Sequence, residues 1–193
     1  MKYSFTLLRP EETDDLLAGN VLDREKIVLE SRSTESVRHI ALKILAYLWF
    51  RAEAAPLPLL IERSVGQRHK PDLVAMDPAT GSIRLWIDCG QIEPKRLARI
   101  LKANPNAQVL VLKASIREAR LYARSASLAI PTDARTRLHY LGFDDGFLAE
   151  FAGTLRGANS LACLVAGDMA RIVLNQRAFD ARLQAVTEDL ENY

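Results

Sequence analysis

The sequence predicts one α/β domain, a mixed β-sheet flanked by helices. Two observations carry this prediction. Apolar runs suited to strands alternate along the chain with segments whose apolar residues recur at helical spacing. Hairpin signals and helical crossovers are interspersed, so the sheet combines antiparallel and parallel neighbours. Size adds a bound: 193 residues build one well-cored domain and are few for two. The domain therefore spans 1–193.

Tyr3 to Leu8 alternates as a strand does, and Arg9 to Asn20 reads as an acidic loop or short helical excursion. Lys26 to Leu29 is a second strand. Ser33 or Thr34 can cap the next helix, in which Val37, Ile40, Ala41, Ile44, Leu45 and Leu48 mark one buried face. Pro56 and Pro58 break the pattern between Ala54 and Leu60. Leu73 to Met76 and Ile83 to Ile87 are apolar and partly β-branched, as strands are. The segment Asp77-Pro78-Ala79-Thr80-Gly81-Ser82 between them is a turn, because Pro presets one dihedral and Gly supplies positive φ.

Pro94 suits the first turn of a second helix, whose inward side is Leu97, Ile100 and Leu101 and which Asn104-Pro105-Asn106 ends. Val109 to Leu112 is a continuous apolar run, typical of a strand covered on both faces. Ser115 caps a third helix that ends near Ser125. Arg137 to Phe143 is a strand, and Asp144 caps a short helix carrying Phe147, Leu148, Phe151 and Leu155. Leu161 to Ala166 and Ala170 to Leu174 flank Gly167-Asp168, a two-residue hairpin signal. Phe179, Leu183, Val186 and Leu190 read as the stripe of a terminal helix.

Composition excludes several classes. A net charge of +2 is not that of a strongly basic protein, though it permits a local basic patch. Aromatics are sparse for a surface built to stack bases. Cys89 and Cys163 stand far apart, with no CxxC pair and no histidine spacing for zinc. Unpaired cysteines, no secretory signal and no apolar stretch of membrane-spanning length give a cytoplasmic expectation. The chain has no Walker loop, GxGxxG, GxSxG elbow or HExxH.

The chemistry concentrates at one end of the Leu73–Ile87 hairpin. Lys70-Pro71-Asp72-Leu73 and Leu85-Trp86-Ile87-Asp88-Cys89-Gly90-Gln91, with Lys95, bring together two carboxylates, an amide and an ammonium. Pairing Asp77 with Ile83 sets Met76 against Arg84 and Asp72 directly against Asp88, with Cβ atoms ~5 Å apart. Carboxylates that close repel unless one is protonated or a cation lies between them. Hard oxygen ligands suit Mg²⁺ or Mn²⁺.

Thr34-Glu35-Ser36 opening an apolar helix, Pro71-Asp72-Leu73, Trp86-Ile87-Asp88-Cys89-Gly90-Gln91 and Lys95-Arg96 resemble the YaeQ family. The resemblance runs from about Glu25 to Asn175, leaving 1–24 and a C-terminal helix over 176–193 outside it. It implies the restriction-endonuclease-like fold of the PD-(D/E)XK superfamily, a central mixed sheet flanked by helices with a metal site at a bent hairpin. By that resemblance Asp72 and Asp88 hold Mg²⁺ or Mn²⁺, and Glu35 on the first core helix joins them. The superfamily lysine is missing, since Gly90 stands two residues after Asp88. Lys95 is the candidate substitute, stabilising transition-state charge, and Gln91 could orient the attacking water.

Each of these residues also has an ordinary reading. Glu35 in a first turn complements the helix dipole, Asp72 after Pro ends a strand, and Lys95 and Gln91 are solvated. His39 and His139 read as structural or solvated.

DNA or RNA is the candidate partner. Lys95, Arg99 and Lys102 share one helix face, as do Arg117, Arg120 and Arg124 on the next helix. Such stripes can follow a phosphate backbone, although solvated helix faces look the same. Arg68-His69-Lys70 adds a positive rim, in which His69 could carry a proton. Lys70, Lys95, Arg96, Arg99, Lys102, Arg117 and Arg120 are the candidate nucleic-acid contacts. Together these features predict a metal-dependent phosphodiesterase acting on nucleic acid. The alternative is a catalytically inactive protein of the same fold that binds nucleic acid or a protein as a regulator. A third reading is a small-molecule hydrolase.

Overall fold

The computed structural model describes residues 1–8, 25–31 and 35–186. In chain order the elements are β1 (Lys2–Leu8), β2 (Glu25–Glu30), α1 (Val37–Phe50), β3 (Leu59–Ile61), β4 (Leu73–Met76), β5 (Ile83–Cys89), α2 (Pro94–Ala103), β6 (Gln108–Lys113) and α3 (Ile116–Ala126). There follow a 3-10 turn (Thr132–Arg137), β7 (Leu138–Phe143), α4 (Phe147–Thr154), β8 (Ala158–Ala166), β9 (Met169–Leu174) and β10 (Arg177–Ala185). The strands form one ten-stranded sheet in the order β2-β1-β8-β9-β10-β7-β6-β5-β4-β3. The sheet is mixed. The β5–β6, β6–β7 and β1–β8 pairs are parallel and the other neighbours antiparallel. A single α/β domain with a large mixed sheet is the class the sequence predicts.

Each face of the central strands has its own core. Leu85, Ile87 and Cys89 point to the α1 side, where they join Ile40, Ile44, Leu45, Phe143 and Phe151. Val74, Trp86, Val109 and Val111 point to the α2–α3 side, where they join Leu97, Ile100, Leu101 and Ala126. The period-two alternation of β5 therefore decides which side chain reaches which helix layer. Asp88, in phase with Trp86, lies on the α2–α3 side. Helix α1 is buried beyond the single predicted face, with Leu42, Lys43, Ala46 and Trp49 covered too.

Several expectations are corrected. The terminal helix is strand β10: Phe179, Ala181 and Leu183 are buried while Asp180 and Arg182 are exposed. A spacing of four fits a strand as well as a helix, and Ala181 adds too little side chain to show the alternation. Asn175 and Gln176, at φ 51° and 71°, form the two-residue turn between Leu174 and Arg177. Leu190 lies outside the described residues, as do Arg9 to Asn20, Ser33 and Thr34. The N-cap of α1 is Ser36, whose hydroxyl accepts from the His39 N–H at 3.3 Å. Glu35 thus precedes the helix and is not in its first turn. Gly146, at φ 86°, occupies the N-cap of α4 that Asp144 was expected to fill. Strand β3 was missed because its three residues follow Pro58 directly, as a short edge strand permits.

Candidate functional site at the end of the central hairpin

The β4–β5 pairing brings the two predicted aspartates to one end of the sheet by a route that differs from the simple one. Met76, rather than Asp77, pairs with Ile83, so one more residue than expected lies between the paired ends. A bulge between Ala75 and Met76 then restores the predicted register, with Ala75 against Leu85, Val74 against Trp86 and Leu73 against Ile87. The ladder stops at Leu73. The Asp72 N–H donates to the Ile87 carbonyl at 3.1 Å, and its carboxylate Oδ2 accepts from the Cys89 N–H at 2.7 Å. Asp72 Oδ1 lies 3.1 Å from His39 Nε2.

On the α1 side, acidic and basic side chains interlock. His39 Nε2 is also 3.2 Å from Glu35 Oε1. One turn further along α1, the buried Lys43 ammonium donates to both Glu35 and Glu62. Burial acts to lower the Lys43 pKa, but the bonds to Glu35 and Glu62 and the nearby Asp72 charge raise it on balance. Glu62 holds its place with a left-handed backbone at φ 53°, uncommon for a residue other than glycine. Lys70 Nζ stands 3.9 Å from Glu62 Oε2.

Asp88 belongs to the opposite side of the sheet. It is buried, its Oδ2 accepts from Trp86 Nε1 at 2.7 Å, and its Oδ1 is 3.5 Å from Arg96 Nη2. Burial pushes its pKa up to about 6, and the Asp72 charge adds to this. The Trp86 bond and the charges of Arg96 and His39 oppose the rise. Nearby, Lys113 at the end of β6 is also buried. Its ammonium donates to the Gly90 carbonyl at 2.5 Å and sits 3.7 Å from the centre of the Tyr122 ring. Burial lowers the Lys113 pKa to about 8, against the pull of the Glu118 and Asp88 charges.

Of the predicted residues, Glu35 and Asp72 meet through His39, and Asp88 is coupled to Asp72 through charge. Gln91 and Lys95 are exposed, beyond the strand end and in the first turn of α2. Arg96, one residue on, is the α2 cation that approaches Asp88. Lys95, Arg99 and Lys102 are exposed on α2, and Arg117, Arg120 and Arg124 are exposed on α3, as the stripes predict. Among the described residues, no group of three or more His, Cys, Asp and Glu is spaced to hold a metal ion.

His39, Lys43, Glu62, Lys113 and Tyr122 are additions that the motif reading missed. Two signals pointed to them. Glu35, His39 and Lys43 stand four residues apart on one stripe, and Lys43 interrupts an otherwise apolar run from Ile40 to Ala46. Lys113 closes the apolar run of β6, and Asp88 closes that of the neighbouring β5.

The architecture defines the chain as a single-domain α/β protein whose polar site lies at the end of the central hairpin, between two helical layers. The family model described as YaeQ protein matches residues 20–183, and the chain belongs to the YaeQ family. The fold is similar to the crystal structure of YaeQ protein from Xanthomonas axonopodis pv. citri. The TM-score is 0.70 at 16% identity, over 95% of this chain and 96% of that one. It is likewise similar to YaeQ protein from Pseudomonas syringae, with a TM-score of 0.71 at 15% identity over 98% and 97% of the two chains. No curated protein matches the sequence. Among the described residues, no helix is long and apolar enough to cross a membrane.

Proposed function

We propose that the chain is a metal-dependent phosphodiesterase of the PD-(D/E)XK type, acting on nucleic acid. The observation that carries this reading is that Asp72 and Asp88 lie at the same end of the central hairpin and are coupled through charge, with Glu35 and Glu62 beside α1 and the basic helices α2 and α3 on the other side of the sheet. Two carboxylates are a sparse donor set, but one that a hard divalent cation takes. Asp72 and Asp88 would hold Mg²⁺ or Mn²⁺ with carboxylate oxygens, and water and a phosphate oxygen would complete the shell, as Mg²⁺ prefers. When bound, the cation would supply charge at a phosphoryl oxygen and lower the pKa of water. Glu35, held by His39 and Lys43, would take up a proton from that water. Gln91, exposed beside the strand end, would orient that water, and Lys95, Arg99, Lys102, Arg117 and Arg120 would follow the phosphate backbone. Free, buried Cys89 and Cys163 fit a reducing, cytoplasmic setting.

One observation favours the second reading, a non-catalytic regulator that binds nucleic acid or a protein. The Lys43 ammonium and the His39 ring already engage Glu35, Glu62 and Asp72, and Gly90 leaves the lysine position of the motif without a side chain. Mn²⁺ calorimetry separates the two, with wild type measured against Asp72→Ala and Asp88→Ala. The phosphodiesterase reading expects binding in wild type, loss of it in both variants, and Mn²⁺-dependent cleavage of DNA or RNA by wild type alone. Wild type that binds no Mn²⁺, with or without nucleic acid present, would leave the regulator.

A further inference from the structure

We propose that Lys113, Arg96 and Tyr122 form an oxyanion site for a phosphate group, on the α2–α3 side of the sheet beside Asp88. The inference takes its ligand class from the phosphodiesterase reading and extends it to residues that the sequence motif does not contain.

The site is built from three elements. Cys89 pairs with Leu112, and the Gly90 N–H donates to the Leu112 carbonyl at 2.8 Å, so Gly90 and Lys113 follow in line on adjacent parallel strands. Gly90 has φ 77°, and a Cβ there would lie 3.3 Å from His39 Nδ1, on the α1 side. A side chain at position 90 would therefore leave the face that Asp88 occupies. Positive charge on that face comes instead from the neighbouring strand, as Lys113, and from α2, as Arg96. Tyr122 on α3 sets its ring against the Lys113 ammonium.

These three groups hold more donors than the surrounding protein accepts. The Lys113 ammonium has three N–H donors, and the Gly90 carbonyl takes one of them. Arg96 Nε and the Tyr122 hydroxyl are buried, and neither has a hydrogen-bond acceptor among the described residues. The Arg96 Nη2 contacts, to the Lys70 carbonyl at 3.3 Å and to Asp88 at 3.5 Å, are both long. Asp88 is the acidic group beside Arg96, and its Oδ2 is already taken by Trp86. An anion meeting donors from a strand and two helices at once would need several oxygens pointing in different directions. A tetrahedral phosphate has them, whereas a planar carboxylate presents two.

The test is binding of inorganic phosphate without metal, by calorimetry. Wild type is expected to bind. Removing one charge-assisted bond in Lys113→Met should weaken binding roughly ten- to a hundredfold. Tyr122→Phe, which keeps the ring, should weaken it roughly three- to tenfold. Lys26→Met, on the exposed edge strand β2 at the far end of the sheet, should leave it unchanged. Should Lys113→Met fail to fold, the ¹³Cε resonance of Lys113 in ¹³C-lysine-labelled wild type gives the same answer, because phosphate at fixed pH should displace it. No phosphate binding by wild type, equal binding by Lys113→Met, or a Lys113 resonance that stays put while phosphate binds would each overturn the proposal. Phosphate bound through Lys113 with no Mn²⁺ at Asp72 and Asp88 upholds this site and removes the metal. Mn²⁺ bound with no phosphate at Lys113 does the reverse.

Discussion

The indole Nε1 of Trp86 donates to Oδ2 of Asp88 at 2.7 Å, two residues further along the same strand. Both side chains are buried, so this bond favours the charged carboxylate where burial opposes it. Trp86→Phe keeps much of the apolar volume and removes the donor. The pKa of Asp88, about 6 in the folded chain, is expected to rise further. A ¹³C NMR titration of the Asp88 carboxyl carbon reads this directly, and an unmoved midpoint would remove the indole from the account.

Asp88 should also make the metal-free protein less stable as pH rises through the weakly acidic range. Its carboxyl titrates at about 6 when folded, against 3.8 for an unperturbed aspartate. Between those values the folded state holds the extra proton, so the free energy of unfolding falls as pH increases, and the loss is complete above the folded pKa. The ceiling is roughly 3 kcal/mol, since a tenfold change in acidity is worth about 1.36 kcal/mol. Asp88→Asn can still accept from Trp86 and carries no charge. Its urea midpoint should exceed that of wild type near neutral pH and converge with it near the unperturbed pKa. A lower midpoint at neutral pH would mean that ionised Asp88 is held by favourable contacts.

Where side-chain spacing and turn chemistry agreed, the fold was legible from sequence. Val109 to Leu112 needed both faces covered, and the structure covers them with α1 on one side and α2 with α3 on the other. Strand β10 was misread because Phe179 and Leu183 satisfy both periods, and because Asn175-Gln176 adopts a turn usually marked by glycine. Asp72 and Asp88 could be read because they sit at the end of a local hairpin, where register follows from the turn. The rest of the site could not. His39, Lys43, Glu62 and Lys113 come from α1, the segment after β3 and β6, and only tertiary packing brings them to the same strand end. The Lys43 contact to Glu62 further depends on the left-handed backbone of Glu62 at φ 53°, which no residue type announces.

Gly142 offers a test of how Lys113 is positioned. The two residues pair across β7 and β6, and the backbone at Ser115, where α3 begins, closes over Gly142. A Cβ on Gly142 would lie 2.3 Å from the Ser115 carbonyl oxygen. Gly142→Ala should therefore cost about 2 kcal/mol or more, because backbone on both sides cannot yield as a side chain would. Gly153 is the control. It lies in α4 with nothing within 4 Å of an added Cβ, so Gly153→Ala should gain roughly 0.5–1 kcal/mol from helix propensity. Urea unfolding of both variants checks the opposite signs.

Lys43 tests whether the acidic cluster is built around a resident cation. Its ammonium joins Glu35 and Glu62 in a place with almost no solvent, since the residue is 2% exposed. Lys43→Met would leave two carboxylates facing each other with their common partner gone, at an expected cost of about 3–5 kcal/mol. The triple variant Lys43→Met, Glu35→Gln, Glu62→Gln removes the stranded charges and should recover a large part of that loss. The Lys43 pKa is raised above 10.5, so its contribution is present below that value and is lost as pH climbs through the folded pKa. Wild type and Lys43→Met should accordingly converge in stability at strongly alkaline pH. Mn²⁺ then separates two uses of the same carboxylates. If Glu35 is open to a divalent ion once Lys43 is gone, Mn²⁺ should raise the Tm of Lys43→Met more than that of wild type. An equal shift in both would confine any metal to Asp72 and Asp88 and leave Glu35 a structural partner of the lysine.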